Sequence, residues 1–485
     1  MIVDGRVYRL VSKRVGSGMF SNKAMFSVAM TFVAAGGAVA QTAAPTAEQT
    51  AQSLDTLPSA IESVLLKNPR IIAERDRRDI AKETLTQSHS ALRPQISLTS
   101  SGGFSRSGST RGSSFAGSTQ EIDYYDSKSK LASIGIEATQ TIYSGGTLQS
   151  GVRQAQYGVD SANAELMAVV QGLILETSTA YIDVRTAEGE LSIRKQNVDA
   201  LKKQFKAAKD RFEVGEVTRT DVAQAEARLS GSQADVASAY SALESAKAVY
   251  YELVGRPPVA LAPQDDVVIA AAELEEAIEI TLAHNPTIVS ARAVLEVARQ
   301  NVKIVKGQRR PTIDLVGTAG YRQEWSDGRL DDDNVELVAR ARLPLYQGGL
   351  LASRVRTAKL EENRALMQLR ATERSLIAGV SRAWYTVIAA DQAIEASQRQ
   401  VEAAQIAFDG AEQELAAGLR TTLDVLDQER ELLNARLGLI NAERAAYLAR
   451  QQLNAAMGEL TPEKFGVNIT LSSTYDYSGR IHNGG

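Results

Sequence analysis

The chain has 485 residues with no Cys, three His, 44% hydrophobic and only 5% aromatic residues, and a formal net charge of −4. The lack of Cys excludes disulfides, Cys-ligated zinc, iron–sulfur clusters and thiol nucleophiles. His89, His284 and His482 lie singly, which leaves no His-based metal or triad site, and 54 Lys+Arg against 58 Asp+Glu give no basic footprint for nucleic acid. With no Gly-rich phosphate loop and no nucleophile elbow, the sequence reads as neither an enzyme nor a cofactor protein.

At the N-terminus, Arg6, Arg9, Lys13, Arg14 and Lys23 precede an apolar run from Ala24 to Ala40 that ends Ala38-Val39-Ala40 before Gln41. This pattern predicts a secretory signal peptide over 1–40, followed by a linker over 41–56. Beyond it no stretch reaches the roughly 18 consecutive apolar residues of a membrane helix, so the exported chain is soluble or crosses a membrane as strands.

The rest is duplicated. Asn68-Pro69 recurs as Asn285-Pro286 and Arg93-Pro94 as Arg310-Pro311, both 217 positions on. Tyr143-Ser144-Gly145-Gly146 recurs as Tyr346-Gln347-Gly348-Gly349, and Gly215, Asp221-Val222 and Gly255 as Gly418, Asp424-Val425 and Gly458, all 203 positions on. The first repeat spans 57–272, the second 273–465, and a polar tail covers 466–485.

In chain order each half predicts helix, strand, loop, strand, long helix, turn and helix. Period-two alternation predicts strands at about 93–105 and 131–143, and again at about 310–323 and 335–345. At about 10–12 residues each, such strands suit a ~25 Å apolar band. A Gly/Ser-rich loop at about 102–130 joins the first pair, and a shorter acidic loop from Trp325 to Asn334 joins the second. Then come proline-free helical stretches at about 150–254 and 350–457. Val184, Leu191, Val198, Phe205 and Phe212 recur every seven residues, as do Val222, Leu229, Val236, Leu243 and Tyr250 after the turn, with apolar partners in the second half. That is a coiled-coil seam. A single helix from about 150 to 213 would be ~95 Å long, a strut rather than a globular-domain helix.

Four strands cannot close a barrel, and open edges in lipid leave unpaired N–H and C=O groups. The barrel must then be shared. Two copies give eight strands, too narrow for a channel, whereas three give twelve.

On these features the chain resembles the TolC family of outer-membrane efflux and secretion channels. The resemblance covers nearly all of 55–465 and rests on the duplicated halves, the Asn-Pro and Arg-Pro pairs, the two YxGG motifs, and the turns at 213–221 and 416–427. It implies a mainly α protein with a membrane β-barrel: a homotrimer whose shared 12-stranded barrel sits in outer-membrane lipid of a Gram-negative bacterium. A long coiled-coil α-helical tunnel then extends into the periplasm. It also implies a role as channel-tunnel for efflux of drugs or toxic compounds. The partners would be a periplasmic adaptor (membrane fusion protein) and an inner-membrane RND or ABC transporter, with no catalysis and no cofactor. A type I protein secretion exit duct is the alternative within the family. A periplasmic coiled-coil adaptor or scaffold is the alternative outside it, and it would need a compact β domain that the sequence lacks.

Function is expected at the turns. Thr218-x-x-Asp221 and Thr421-x-x-Asp424 are capping patterns, so both aspartates have an ordinary structural role. Asp424, Asp427 and Glu431 also share one helix face, where the first half has Asp221, Gln224 and Arg228. Three copies of that face around an axis would stack rings of carboxylates. The resemblance maps entrance carboxylate rings onto Asp424 and Asp427, and a closing network onto Thr220, Asp221 and Arg420, with Leu415 where the family would place an aromatic partner. Gly215 and Gly418 end helices that need φ > 0 and mark the tips for adaptor docking.

Overall fold

The computed structural model describes residues 55–112, 122–325 and 329–469, all within one unit. The predicted signal peptide, most of the linker and nearly all of the C-terminal tail lie outside the described residues.

The two halves have the same element order. The first comprises α1 (Leu57–Lys67), α2 (Pro69–Ser90), β1 (Gln95–Gly112), β2 (Ile122–Tyr143), α3 (Thr147–Glu213) and α4 (Arg219–Val254). The second comprises α5 (Leu274–His284), α6 (Pro286–Gly307), β3 (Thr312–Trp325), β4 (Arg329–Arg342), α7 (Leu350–Ala416) and α8 (Thr422–Met457). The Asn-Pro pairs split the single first helix expected in each half into two. Asn68 and Asn285 end one helix in extended backbone and cap the next, accepting from the Arg70 and Thr287 N–H at 2.9 Å, with proline at the first helical position. At 67 residues each, α3 and α7 are rods of about 100 Å.

The strands form one antiparallel sheet in the order β1-β2-β3-β4. They are longer than the alternation predicts, at 18, 22, 14 and 14 residues, and they absorb much of both expected loops. Ladder bonds come from the backbone and need no apolar side chains. The Gly/Ser stretch therefore pairs anyway, tied by Ser101–Ser133 and Ser105–Ser129 hydroxyl bonds of 2.8 Å and by an Arg106–Asp126 fork of 2.9 Å. β4 stops short of the expected end because Pro344 has no N–H to continue a ladder.

Register gives the sheet two unlike faces. Leu98 opposes Ile136, Ile136 opposes Ala319, and Ala319 opposes Val335, with Ile96, Ile134 and Leu337 in the same phase. This apolar stripe faces outward in the single chain, with Val335 87% and Leu337 72% exposed. The other face carries Ser97, Glu137, Thr318 and Glu336 in one row and Ser101, Ser133, Arg322 and Asp332 in another.

The YxGG motif makes the joint between sheet and rod. Gly145 has φ 68°, and a Cβ there would lie 2.5 Å from the Gly307 carbonyl oxygen, so only glycine fits. Arg310 donates to the Gly145 carbonyl at 3.3 Å, which joins the first YxGG motif to the second Arg-Pro motif.

Much of the heptad seam is buried along the rods, although Phe212 near the tip is 44% exposed. Val184, Leu191 and Val198 of α3, Leu243 and Tyr250 of α4, Val387 of α7, and Val425, Leu432 and Leu453 of α8 are buried. The largest core lies where α1 meets the middle of α3, the C-terminal half of α4 and the end of α8. There the buried Asp55 carboxylate accepts from the Tyr250 hydroxyl at 2.8 Å and from Arg256 at 2.6 Å. The Tyr181 hydroxyl donates to the Asp55 and Ala262 carbonyls at 2.9 and 2.7 Å. Burial pushes the Tyr181 hydroxyl up to about 12, so it stays a donor at any physiological pH. Tyr250→Phe leaves one carboxylate oxygen of Asp55 without its donor. The expected cost is about 1–3 kcal/mol of stability, read as a lower denaturation midpoint with the fold retained.

Candidate functional site at the helical tips

The α3–α4 and α7–α8 hairpins end in matching turns. The last helical turn of each closes in a Schellman pattern: Glu216 N–H donates to the Arg211 carbonyl and Leu419 N–H to the Glu414 carbonyl, both at 2.9 Å. Gly215 at φ 81° and Gly418 at φ 73° supply the left-handed residue this closure needs. The following helices begin with full capping boxes. The Asp221 carboxylate accepts from Thr218 N–H at 2.8 Å and the Asp424 carboxylate from Thr421 N–H at 2.9 Å, while each threonine hydroxyl caps the aspartate N–H in return. A packed cluster of Leu201, Ala208, Ala225 and Leu426 brings α3, α4 and α8 together just above the turns.

The acidic residues divide by partner. The Thr421 hydroxyl and backbone N–H hold the Asp424 carboxyl below its usual range, so it stays ionised. Asp427, one turn further along α8, accepts from Arg228 of α4 at 3.0 Å in a half-exposed ion pair that bridges the two hairpins. Glu431 is exposed and open. Arg420 pairs with Glu414 of its own hairpin, and among the described residues it does not meet Asp221. Thr220 is exposed beside Asp221. Within one chain the residues of the expected closing network therefore occupy one end of the rods, with Arg420 turned to Glu414 and not to Thr220 or Asp221. The Arg228–Asp427 bridge escaped the repeat alignment because Asp427 is matched there by Gln224. Its only signal was Arg228 itself, a cation where the second half has Glu431.

Among the described residues no helix is long and apolar enough to cross a membrane, and no group of three or more His, Asp or Glu is placed to hold a metal ion.

Comparison with known proteins agrees with this geometry. The chain is 29% identical over 416 residues to the outer membrane efflux protein BepC of Brucella suis, covering 86% of this chain and 88% of that protein. It is also 29% identical to the outer membrane protein TolC of Vibrio cholerae, covering 82% and 89%. Its fold matches the crystal structure of the outer membrane protein VceC from Vibrio cholerae with a TM-score of 0.70 at 21% identity, over 83% of this chain and 96% of that one. The profile of the outer membrane efflux protein family matches residues 60–256 and 277–459, which takes in both repeats. The chain therefore belongs to the outer membrane efflux protein family, whose members are channels of the Gram-negative outer membrane and not enzymes.

Proposed function

We propose that three copies of this chain form one efflux duct, a twelve-stranded barrel in the outer membrane continued by a helical tunnel through the periplasm. The observation that carries this reading is the open four-stranded sheet, with an apolar stripe on one face and both outer edges unpaired. The duplication supports one way of covering the edges. Gly145 is filled from within the chain by Gly307 and Arg310, whereas its repeat partner Gly348 has nothing within 4 Å among the described residues. The repeat partners of Gly307 and Arg310 are Ser90 and Arg93, beside the far edge strand β1. A neighbouring chain placing its Ser90 and Arg93 against Gly348 would pair its β1 with β4 just as β2 pairs with β3. The rods tell the same story. Leu360, Met367 and Ile388 of α7 share one heptad phase and are exposed, apolar side chains open to a neighbouring helix.

In this assembly the tips at Gly215 and Gly418 face inward from the outer membrane, where a periplasmic adaptor would dock its own helices, with an inner-membrane RND or ABC transporter behind it. Efflux is favoured over protein secretion by the Brucella suis relative named for efflux. An adaptor or scaffold role is disfavoured by the apolar outward stripe of the sheet.

Asp424 and Asp427 would ring the tunnel entrance. Thr220, Asp221 and Arg420 would hold it closed by contacts between neighbouring hairpins. Each half-exposed pair contributes about 0–1 kcal/mol, but threefold repetition can bias a two-state entrance by a few kcal/mol.

Three measurements test this reading. The chain has no Cys, so Arg93→Cys combined with Gln347→Cys should give a disulfide ladder ending at the trimer, with neither single variant crosslinking; a ladder that stops at dimers or never forms removes the proposed edge contact. In planar bilayers Arg420→Ser or Asp221→Ala should raise single-channel conductance, and unchanged conductance takes these residues out of the gate. Asp427→Asn should weaken block by divalent cations added at the tip side, and identical block refutes the ring.

A further inference from the structure

One acidic residue of α8 faces the other way. Glu429 lies on the buried side of the helix between Leu426 and Leu432, is 5% exposed, and no donor among the described residues reaches either of its carboxyl oxygens. It borders a half-open cavity of about 110 Å³ lined by α3, α7 and α8. From α3 the cavity receives Ile193, Gln196, Asn197 and Ala200, none of them charged. From α7 it receives Gln405 and Phe408, with the Glu412 carboxylate also close enough to repel Glu429. From α8 itself it receives Arg436, whose guanidinium donates to the Gln405 side-chain oxygen at 2.7 Å instead of to Glu429. On α4, Arg228 is held by Asp427, and Glu412 accepts from Gln204 at 3.2 Å. An ionised carboxylate here has a like charge facing it, and among the described residues no cation lies within ion-pair distance of it, Arg436 of the same cavity being turned to Gln405.

We infer that Glu429 and its cavity form a proton-binding site that couples the packing of α8 against α3 and α7 to the surrounding pH. With the proton bound, the neutral carboxyl is accommodated among the amides of the cavity. With the proton lost, the buried charge favours a loosened wall in which the carboxylate reaches water. Burial, and then Glu412, push this carboxyl from 4.5 up to about 7, which sets the window. A carboxyl raised in the packed state binds its proton more tightly there than in the loosened state. The packed form is therefore fully favoured at low pH, loses ground as pH climbs from 4.5 to about 7, and changes no further above that. Loosening should grow by up to about tenfold per pH unit within the window.

The site rests on its own geometry, and only its effect on conduction rests on the reading of the tips as a tunnel entrance. The full chain reconstituted in lipid nanodiscs, followed by amide hydrogen exchange over pH 5–8 and corrected for intrinsic rates, tests it directly. Segments around Glu429 and Glu412 should lose protection up to about pH 7 and then level off. Glu429→Gln should remove this step and hold the protection seen at low pH, and Glu412→Gln should move the step to lower pH. A pH-independent pattern in the native chain, or a step that survives in Glu429→Gln, overturns the inference. Bilayer conductance measured alongside separates the two readings. A Glu429-dependent exchange step with no matching change in conductance upholds the proton site and counts against the tunnel entrance.

Discussion

A β-strand carried into lipid must find a partner for every N–H and C=O, because nothing in the hydrocarbon layer will hydrogen-bond to them. This chain offers four strands and leaves the outer sides of β1 and β4 bare, over 18 and 14 residues. The apolar stripe across Leu98, Ile136, Ala319 and Val335 makes the sheet suited to lipid, and the bare edges make it unable to enter lipid alone. The proposed trimer is the answer to that conflict. The polar second face, with Glu137, Thr318 and Glu336 in one row, then becomes the wall of an aqueous lumen rather than a buried liability.

The same logic runs down the rods. The α3–α4 hairpin is packed against α1, α2, α6 and α8, whereas α7 covers itself chiefly with α8, α6 and α5. The duplication makes the two long helices equal in length and cap chemistry, so the difference in coverage reflects position in the chain and not sequence quality. α3 lies in the middle of the protomer and α7 at its margin. The open joint at Gly348 stands at the same margin, opposite Ser90 and Arg93 at the other. Sheet edge, joint and helix seam all ask for the same neighbour, which a duplicated chain can supply by repeating its internal contact.

Much of this was legible in the sequence. The 203-residue offset and the heptads from Val184 and Val222 located both hairpins and their turns to within a few residues, because apolar periodicity over such lengths has one reading. The capping boxes at Thr218 and Thr421 were legible too, since they are local. The sheet was read too short. The Ser and Gly of 102–112 carry no alternation, yet their backbone pairs as well as any other, and a pattern-based reading sees side chains only. Thr220, Asp221, Arg420, Asp424 and Asp427 lie at the helical turns where the sequence puts them, but their partners within the chain do not follow from the sequence pattern. Asp427 finds Arg228 across two hairpins and Arg420 finds Glu414 six residues back, pairings set by tertiary approach and by rotamers.

Glu429 was overlooked for a related reason. Along α8 the eye groups Asp424, Asp427 and Glu431 because their spacing puts them on one face, and a fourth acid nearby looks like more of the same. Its phase says otherwise, since positions 425, 426, 432 and 433 around it are all apolar, and a Glu in that frame points into the seam. A buried acid without a donor detracts from packing, and a Gln of nearly the same shape would avoid the cost of burying a charge. α8 thus carries two kinds of carboxylate within two turns. Asp424 and Asp427 are partnered, the first by its own cap and the second by an arginine. Glu429 is unpartnered and turned toward the rod it packs on. The first kind is tied into the tip by its partners, and the second alters how firmly the tip is held as pH changes.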